Sequence, residues 1–362
     1  MRTVTVELGP RSYPVIIGVG ALDAAAGEIP PVPGAERVAI VSDSNVDPAW
    51  GDTAARALAP LGSTGEVLRF VVAAGETSKD LAVAGSLLGD LAAARVRRSD
   101  VLVALGGGMV GDLAGFVASV YQRGMPFVQV ATSLLAQVDA AIGGKTAVNL
   151  AAGKNLVGTF YQPRAVIADT TVLSTLPRRE YTSGLAEVAK YGFAFDPAFL
   201  GLVESSLPAI GAGDPAVLEE VVARSVAIKA SVVAADELDL ADRRIMLNYG
   251  HTLAHALEAL GNYEQWLHGE AVSVGMVFAA ALARESGLLP PGDAERHRST
   301  LSALGLPVTA AFDPAEIETA WSIDKKYRGG VRWVLLNGIG CPVVTTRVGS
   351  REVAAAMSAV LA

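Results

Sequence analysis

The sequence predicts a mainly parallel α/β domain followed by an all-α domain. Short strand-like runs alternate with helical stretches up to about residue 176, and strand-like runs nearly vanish after Leu176-Pro177. The chain has 362 residues, more than a single hydrophobic core usually organises, so two domains are expected. We therefore predict domains at 1–176 and 177–362.

The strands of the first domain are predicted from short strand-like runs, the first of which alternates apolar and polar residues. In chain order these are TVTVEL, YPVIIG, RVAIVSD, GEVLRFVV, DVLVALGGG, PFVQVAT and AVIAD. Several are apolar throughout, which is typical of parallel strands covered on both faces. Helical patterns such as LAVAGSLLGDLAAAR and MVGDLAGFVASVY separate them, which indicates a Rossmann-like layer architecture.

The second domain consists almost entirely of helical patterns. LAEVAKYGF and PAVLEEVVARSVAIKASVVAADE lead to two histidine-bearing segments, with a predicted break at Gly261-Asn262. The longest nearly apolar run, Ala271 to Ala283, is too short to span a bilayer and indicates a buried helix.

Composition excludes several kinds of partner. The chain is 51% hydrophobic and 18% charged, with a net charge of −8, which argues against general affinity for nucleic acid or anionic membranes. The single Cys341 cannot form an intrachain disulfide, and MRTVTVELG lacks the apolar block of a signal peptide. We expect a cytoplasmic protein that binds a small molecule.

A glycine-rich turn after DVLVAL indicates a nucleotide site. Gly106, Gly108 and Gly111 match GxGxxG, and amides at the following helix start favour a pyrophosphate. No Walker lysine follows, so NAD(P) is the expected nucleotide. The turn is not in the first βα unit, so Asp43, after another strand, is the expected ribose ligand. A purely structural turn is the alternative.

Lysines in glycine-rich loops predict an anion site. Lys145 and Lys154 each follow glycine, where backbone amides also favour an oxyanion. The segment 143–146 resembles the end of a P-loop but lacks its first glycine, which argues against ATP binding. Arg244 and Asn248 precede His251 by seven and three residues and are expected to share its helical face. For each cation the alternative is a solvated surface charge.

Three of the four histidines lie within eighteen residues: His251, His255 and His268. The first two are four residues apart on a predicted helix, and His268 begins the next helix. This cluster indicates a metal or acid/base site, with unrelated histidines as the alternative. A catalytic metal usually has three protein ligands, and the expected third is Glu187, a carboxylate in the apolar surroundings of SGLAEVAKYG. The alternative for Glu187 is an exposed pair with Lys190.

Seven segments of the chain resemble the 3-dehydroquinate synthase family of sugar phosphate cyclases. They are GGGMVGDLAGFVAS, YQRGMPFVQVATSLLAQVDAAIGGKTAVN, GKNLVGTFYQP, LPRREYTSGLAEVAKYG, LNYGHTLAHALE, LHGEAVSVGM and DKKYRGG. The resemblance implies an NAD-binding α/β domain before a helical domain that binds metal and substrate. It also implies a carbon–oxygen lyase of the shikimate pathway, which leads to chorismate and the aromatic amino acids.

The implied reaction converts 3-deoxy-D-arabino-heptulosonate 7-phosphate into 3-dehydroquinate and phosphate. The implied steps are transient NAD-dependent oxidation at C5, β-elimination of phosphate, reduction, ring opening and intramolecular aldol closure. NAD is regenerated in each turnover, so the net reaction involves no redox change.

The resemblance also assigns roles to individual residues. It implies zinc, with cobalt as the alternative, on Glu187, His251 and His268. It implies NAD contacts from Asp43, Asn45, Glu76, Lys79, Gly107, Gly108, Asp112, Thr132, Ser133, Lys145 and Lys154. It implies catalytic contacts from Asp139, Lys145, Lys190, Lys229, Arg244, Asn248 and His255. It implies substrate binding by Asn155, by Lys325 or Lys326, and by Arg123, which would reach the phosphate across a homodimer interface.

Three other functions are weighed against this one. A paralogous sugar phosphate cyclase of a specialised pathway would differ at the charged substrate positions, where Lys145, Lys229, Asn248 and His255 keep the dehydroquinate synthase type. A metal-dependent NAD polyol or alcohol dehydrogenase would not need so many cations. A catalytically silent NAD- or sugar-phosphate-binding module should lack an intact ligand set.

Overall fold

The computed structural model describes residues 1–323 and 331–362, which form two units. The first unit contains residues 1–177 and 213–238, and the second contains residues 178–212 and 239–362. The strands are β1 (Arg2–Val6), β2 (Tyr13–Gly18), β3 (Arg37–Asp43), β4 (Glu66–Val72), β5 (Val101–Gly106), β6 (Phe127–Ala131), β7 (Lys145–Leu150), β8 (Gly153–Phe160), β9 (Val166–Asp169), β10 (Trp333–Leu336) and β11 (Pro342–Thr345). The helices are α1 (Ala21–Glu28), α2 (Asp47–Leu58), α3 (Leu81–Ala93), α4 (Gly108–Val120), α5 (Arg178–Ala194), α6 (Pro197–Ser205), α7 (Leu207–Ala212), α8 (Pro215–Ala235), α9 (His251–Leu260), α10 (His268–Glu285), α11 (Pro291–Ala303), α12 (Pro314–Ile323) and α13 (Ser350–Val360).

The first unit is built on a seven-stranded sheet with the order β1-β2-β9-β6-β5-β3-β4. All its neighbouring strands pair in parallel except β1 and β2, and every predicted strand run lies in it. Alternate side chains of β3 and β5 enter two hydrophobic clusters. Ala39 and Leu102 pack with residues of α3 and α4, whereas Val38 and Val101 pack with residues of α1 and α2. The sheet is therefore covered on both faces, which confirms the predicted Rossmann-like architecture.

The sheet changes its winding direction between β3 and β5. The chain runs from β3 outward to β4 and then returns to β5, which pairs with the other edge of β3. Ligands of open α/β sheets bind beyond the carboxyl ends of the strands at such a switch point. Asp43 ends β3 and Gly106 ends β5, so the glycine-rich turn lies at the switch point although it is not in the first βα unit.

A separate hairpin, β7 and β8, replaces the loops expected around Lys145 and Lys154. The two strands pair antiparallel, with Lys145 opposite Phe160. Gly143 and Gly144, in the turn just before β7, have φ angles of 96° and 65°, a region that favours glycine.

The second unit is helical around a buried α10. This helix packs against α5, α9, α11 and α13, and every residue from Ala271 to Ala283 is buried. None of the helices in the described ranges is long and apolar enough to cross a membrane. The all-α expectation missed the short hairpin β10–β11.

Residues 213–238 lie in the first unit, whereas the sequence analysis assigned them to the second domain. Their helix α8 packs against β1, β2 and the helical turn Ala136–Ala140. Helical periodicity identifies the buried face of such a segment but not the surface it packs against, so the pattern alone could not assign it.

Candidate active-site groups

Glu187, His251 and His268 bring three potential metal ligands together in the second unit. Their donor atoms all lie within 4.8 Å of one another. Oε1 of Glu187 is 3.6 Å from Nε2 of His251 and 3.5 Å from Nε2 of His268. The three side chains grouped from the sequence therefore converge in the fold.

Close packing of α10 against α5 and α9 produces this convergence. A Cβ atom on Gly269 would lie 1.8 Å from the carbonyl oxygen of Ser183, and one on Gly275 would lie 1.9 Å from that of Gly250. No other residue fits at either position without moving a backbone. Because His268 begins α10, the contact at Gly269 holds it beside the helix that carries Glu187.

The burial of Glu187 fits a metal ligand. Its side chain is fully buried, and neither carboxylate oxygen accepts a well-formed hydrogen bond from the described residues. Lys190 Nζ forms an ion pair with Oε2, and this lysine is also buried. The alternative interpretation, that Glu187 and Lys190 form an exposed pair, is therefore wrong. A buried carboxylate that lacks hydrogen bonds is costly even when it has one ion pair. One carboxylate oxygen with two imidazole nitrogens is a donor set that suits zinc.

The surroundings of His251 and His268 shift their pKa values in opposite directions. Nδ1 of His251 lies 3.1 Å from the Tyr249 carbonyl oxygen and donates a hydrogen bond to it. The other ring nitrogen, Nε2, faces Glu187 and is free of a proton in the neutral ring. Burial, with the nearby charge of Lys190, lowers the pKa of His251 well below its usual value. For His268, burial acts in the same direction, but Glu187 and Glu258 outweigh it and raise its pKa to about 10. A metal would therefore displace a proton from His268.

His255 lies one helical turn after His251 and is exposed, with the two ring centroids 5.5 Å apart. Arg244 is buried, in a separate 3-10 helix that ends at Asn248. Gly250 then takes a left-handed φ of 83°, so α9 begins only at His251. The prediction that Arg244 and Asn248 share a helical face with His251 is therefore wrong.

A charged network joins the turn after β4 to α4 and to the β7–β8 hairpin. Lys79 Nζ is 2.9 Å from Asp112 Oδ2 and 3.1 Å from Glu76 Oε1. Burial lowers the pKa of Lys79, but these two carboxylates outweigh it and raise the pKa overall. Asn149 Nδ2 donates to Glu76 Oε1 over 2.9 Å, and Lys154 Nζ lies 3.9 Å from the same oxygen.

Other predicted NAD residues follow neighbouring strands at the carboxyl edge of the sheet. The buried Asp43 accepts hydrogen bonds from the backbone amides of Asn45 and Val46. Gly107 precedes α4, and a Cβ atom there would lie 3.3 Å from Ser133 Oγ, beyond β6 beside Thr132. The amide-rich start of α4, without side chains at 106–108, can accept a pyrophosphate.

Lys229 forms an ion pair and a hydrogen bond with Asp139 within the first unit. Its Nζ is 2.9 Å from Asp139 Oδ1 and 2.7 Å from the Asp139 carbonyl oxygen, and the lysine is buried. Lys145 is exposed at the start of β7. Asn155 has a φ of 54°, and its backbone N–H donates a hydrogen bond to Asn149 Oδ1.

Not every predicted residue joins these groups. Arg123 lies beyond the far end of α4 from Gly108, and α4 has 13 residues, a length of about 20 Å. Lys325 and Lys326 lie outside the described residues.

Sequence reasoning missed Asn149 and Glu258. Asn149 lies inside β7 of the separate hairpin, and no local sequence pattern marks it as a partner of Glu76. Glu258 follows His251 by seven residues, a spacing that places both on one helical face. The spacing of Glu258 was therefore visible in the sequence, whereas the contact of Asn149 was not.

Comparison with known proteins identifies the family of the chain. Residues 69–183 match the family profile 3-dehydroquinate synthase N-terminal, and residues 184–327 match 3-dehydroquinate synthase C-terminal. The 3-dehydroquinate synthase of Halorhodospira halophila is 48% identical over 95% of this chain and 96% of its own length.

Two solved structures are similar over nearly the whole fold. A 2-deoxy-scyllo-inosose synthase complexed with carbaglucose-6-phosphate, NAD+ and Co2+ has a TM-score of 0.89 and 29% identity, covering 99% of this chain and 100% of the other. The 2-epi-5-epi-valiolone synthase of Streptomyces hygroscopicus, with NAD+ and Zn2+ bound, has a TM-score of 0.85 and 28% identity, covering 99% and 98%. With both family profiles matched in order and nearly half of the residues shared with a full-length synthase, the chain belongs to the 3-dehydroquinate synthase family.

Proposed function

We propose that the chain converts 3-deoxy-D-arabino-heptulosonate 7-phosphate into 3-dehydroquinate and phosphate, as a lyase of the shikimate pathway. The 48% identity to a 3-dehydroquinate synthase over 95% of the chain carries the proposal. Identity is only 29% and 28% to the two synthases named for other products, which favours this substrate over those of the paralogues.

Glu187, His251 and His268 would hold a zinc ion, or alternatively cobalt, and the carboxyl edge of the sheet would hold NAD. The convergent nitrogen and oxygen donors support the metal, and the two similar structures bind NAD+ with Co2+ or Zn2+. When bound, NAD would supply hydride acceptance and return at C5, and the metal would polarise the C5 oxygen.

Within the second unit, Lys190 and His255 lie beside the metal ligands. Lys190 offsets the charge of Glu187 and would donate to a substrate oxygen. The exposed imidazole of His255 would hold or move a proton at the same hydroxyl. Arg244 and Asn248 would bind further substrate oxygens. Their 3-10 helix connects directly to α9 through Tyr249 and Gly250.

Within the first unit, α4 would bind the pyrophosphate with Gly107 and Gly108, and Asp43 would bind a ribose. Asn45, Thr132 and Ser133 would line the same edge of the sheet. Glu76, Lys79, Asp112 and Lys154 would hold the turn after β4 against α4 and the β7–β8 hairpin. Lys145 and Asn155 would bind an oxyanion, and Lys229 would orient Asp139 towards the substrate.

We further propose a homodimer in the cytoplasm. Arg123 is remote from the carboxyl-end groups of its own unit, so its proposed contact with a substrate phosphate is assigned to the neighbouring protomer. Lys325 or Lys326 would add a further substrate contact. The small, charged biosynthetic substrate supports the location.

The test is to incubate the purified chain with the heptulosonate phosphate, catalytic NAD and zinc, and to follow free phosphate and NADH. Stoichiometric phosphate without accumulating NADH supports the synthase. NADH accumulation supports a dehydrogenase and contradicts the proposal, and the absence of both products supports a binding module.

A further inference from the structure

His297, the histidine outside the cluster, is completely buried on α11. Its ring stacks on Phe193, with centroids 3.7 Å apart and planes 15° apart. Its Nδ1 is 2.7 Å from the carbonyl oxygen of Asp293, and its Nε2 is 3.0 Å from the hydroxyl of Tyr249. Both ring nitrogens therefore have a partner.

These partners fix the direction of each hydrogen bond. The Asp293 carbonyl can only accept, so Nδ1 of His297 carries the proton and Nε2 accepts the proton of the Tyr249 hydroxyl. Burial lowers the pKa of His297 to about 4, which keeps the ring neutral at neutral pH. The neutral ring is the form that can accept this bond.

Tyr249 connects His297 to the candidate metal ligands Glu187, His251 and His268. Its side chain is fully buried, and its backbone carbonyl accepts from Nδ1 of His251 over 3.1 Å. The next residue, Gly250, is left-handed, and a Cβ atom there would lie 2.8 Å from Cγ of Met276. The peptide after Tyr249 is thus held between α10 on one side and the anchored phenol on the other.

We propose that His297 is a positioning residue for the metal ligand His251. By anchoring the Tyr249 phenol, it fixes the backbone carbonyl that orients the His251 imidazole with Nε2 towards Glu187. Groups that accept the second N–H of a ligating histidine set its orientation and raise metal affinity. The inference rests on the proposed function only for the presence of a metal at this cluster, and not for the identity of the substrate.

The test compares Tyr249→Phe, His297→Phe and the double variant as full-length, metal-stripped proteins. The dissociation constant for Co2+ is measured by visible absorption against a competing chelator, and thermal unfolding is measured without metal. We expect each single variant to weaken Co2+ binding by about tenfold, the lower end for groups that orient metal ligands. The two effects should not add in the double variant, because both changes remove the same bond.

The two readouts separate positioning from stability. His297→Phe leaves the Tyr249 hydroxyl buried without an acceptor, and the double variant removes that defect, so it should recover thermal stability but not Co2+ affinity. Tyr181→Phe is the matched control. It removes a buried hydroxyl that bonds the Ile210 carbonyl in the same unit, and it should lower stability without changing Co2+ affinity.

Wild-type Co2+ affinity in folded Tyr249→Phe would overturn the inference, and this mildest variant decides the question if His297→Phe does not fold. The phosphate-release assay on the wild type tests the proposed function separately. An inactive wild type whose variants still lose Co2+ would leave the positioning role standing without the proposed reaction.

Discussion

Oε1 of Glu258 lies 3.4 Å from Nδ1 of His268, and Nε2 of the same ring faces Glu187. His251 is arranged in the same way, with Nδ1 on the Tyr249 carbonyl and Nε2 towards Glu187. His251 and His268 therefore each have one ring nitrogen held by the protein and the other directed at the carboxylate of Glu187. A carboxylate behind His268 makes its imidazole a stronger donor to a metal.

Replacing Glu258 by glutamine should weaken metal binding. The amide can still accept a hydrogen bond but carries no charge, so we expect zinc affinity to fall by about tenfold. Competition with a chromogenic chelator measures it. Glu264→Gln makes the same change of charge at an exposed position of the following turn and should leave the affinity unchanged. Equal affinities in both variants would contradict a role for Glu258.

Alanine at His251 and at His255 should have different effects. His251→Ala removes one of three metal donors, so we expect loss of bound zinc and of nearly all turnover. His255→Ala keeps the donor set and should retain zinc while turnover falls by about 100-fold or more, as for a lost acid/base group. Metal content by mass spectrometry, phosphate release and circular dichroism provide the measurements. Full zinc occupancy in His251→Ala would argue against its assignment as a ligand.

Gly107→Val should weaken NAD binding without unfolding the chain. Gly107 has a φ of −75°, which valine can adopt, but its side chain would project beside Ser133 into the proposed pyrophosphate site. Gly89→Val is the control, because a Cβ atom at this exposed position on α3 meets nothing within 4 Å. Calorimetric titration with NAD compares the two. Unchanged NAD affinity in folded Gly107→Val would count against the site.

His297 should make the metal-free protein less stable in acid. Its folded pKa is about 4, below the value of about 6.5 for an unfolded chain. Its stabilising contribution is complete above about pH 6.5 and is lost, at about 1.4 kcal/mol per pH unit, as the pH falls towards 4. His297→Phe should reduce the slope of the unfolding free energy against pH by this amount, in urea unfolding measured between those pH values, while His251, whose pKa is also lowered, keeps its own contribution. Tyr181→Phe, which removes a hydrogen bond but no titrating imidazole, should keep it, and parallel curves for wild type and His297→Phe would refute the assignment.

Local patterns in the sequence were sufficient for the regular elements and for part of the site. Strand-like runs located the seven strands of the main sheet. The central strands β5, β6 and β9 are apolar almost throughout because they are buried on both faces, whereas the edge strand β1 alternates apolar and polar residues. The spacing of His251 and His255 placed them one turn apart, and His268 begins its own helix. Glu187 was identified by ligand count, because two histidines leave a catalytic metal incomplete.

Tertiary structure decided what these elements pack against. Periodicity gave α8 a buried face but not its place on β1 and β2, and left-handed Gly250 separated Arg244 and Asn248 from α9. The partners Asn149 and His297 became apparent only in the folded structure. His297, for example, lies 48 residues from the Tyr249 that it anchors. Hydrogen bonds between distant segments depend on how the chain packs in three dimensions, whereas sequence patterns record only which side of each element avoids water.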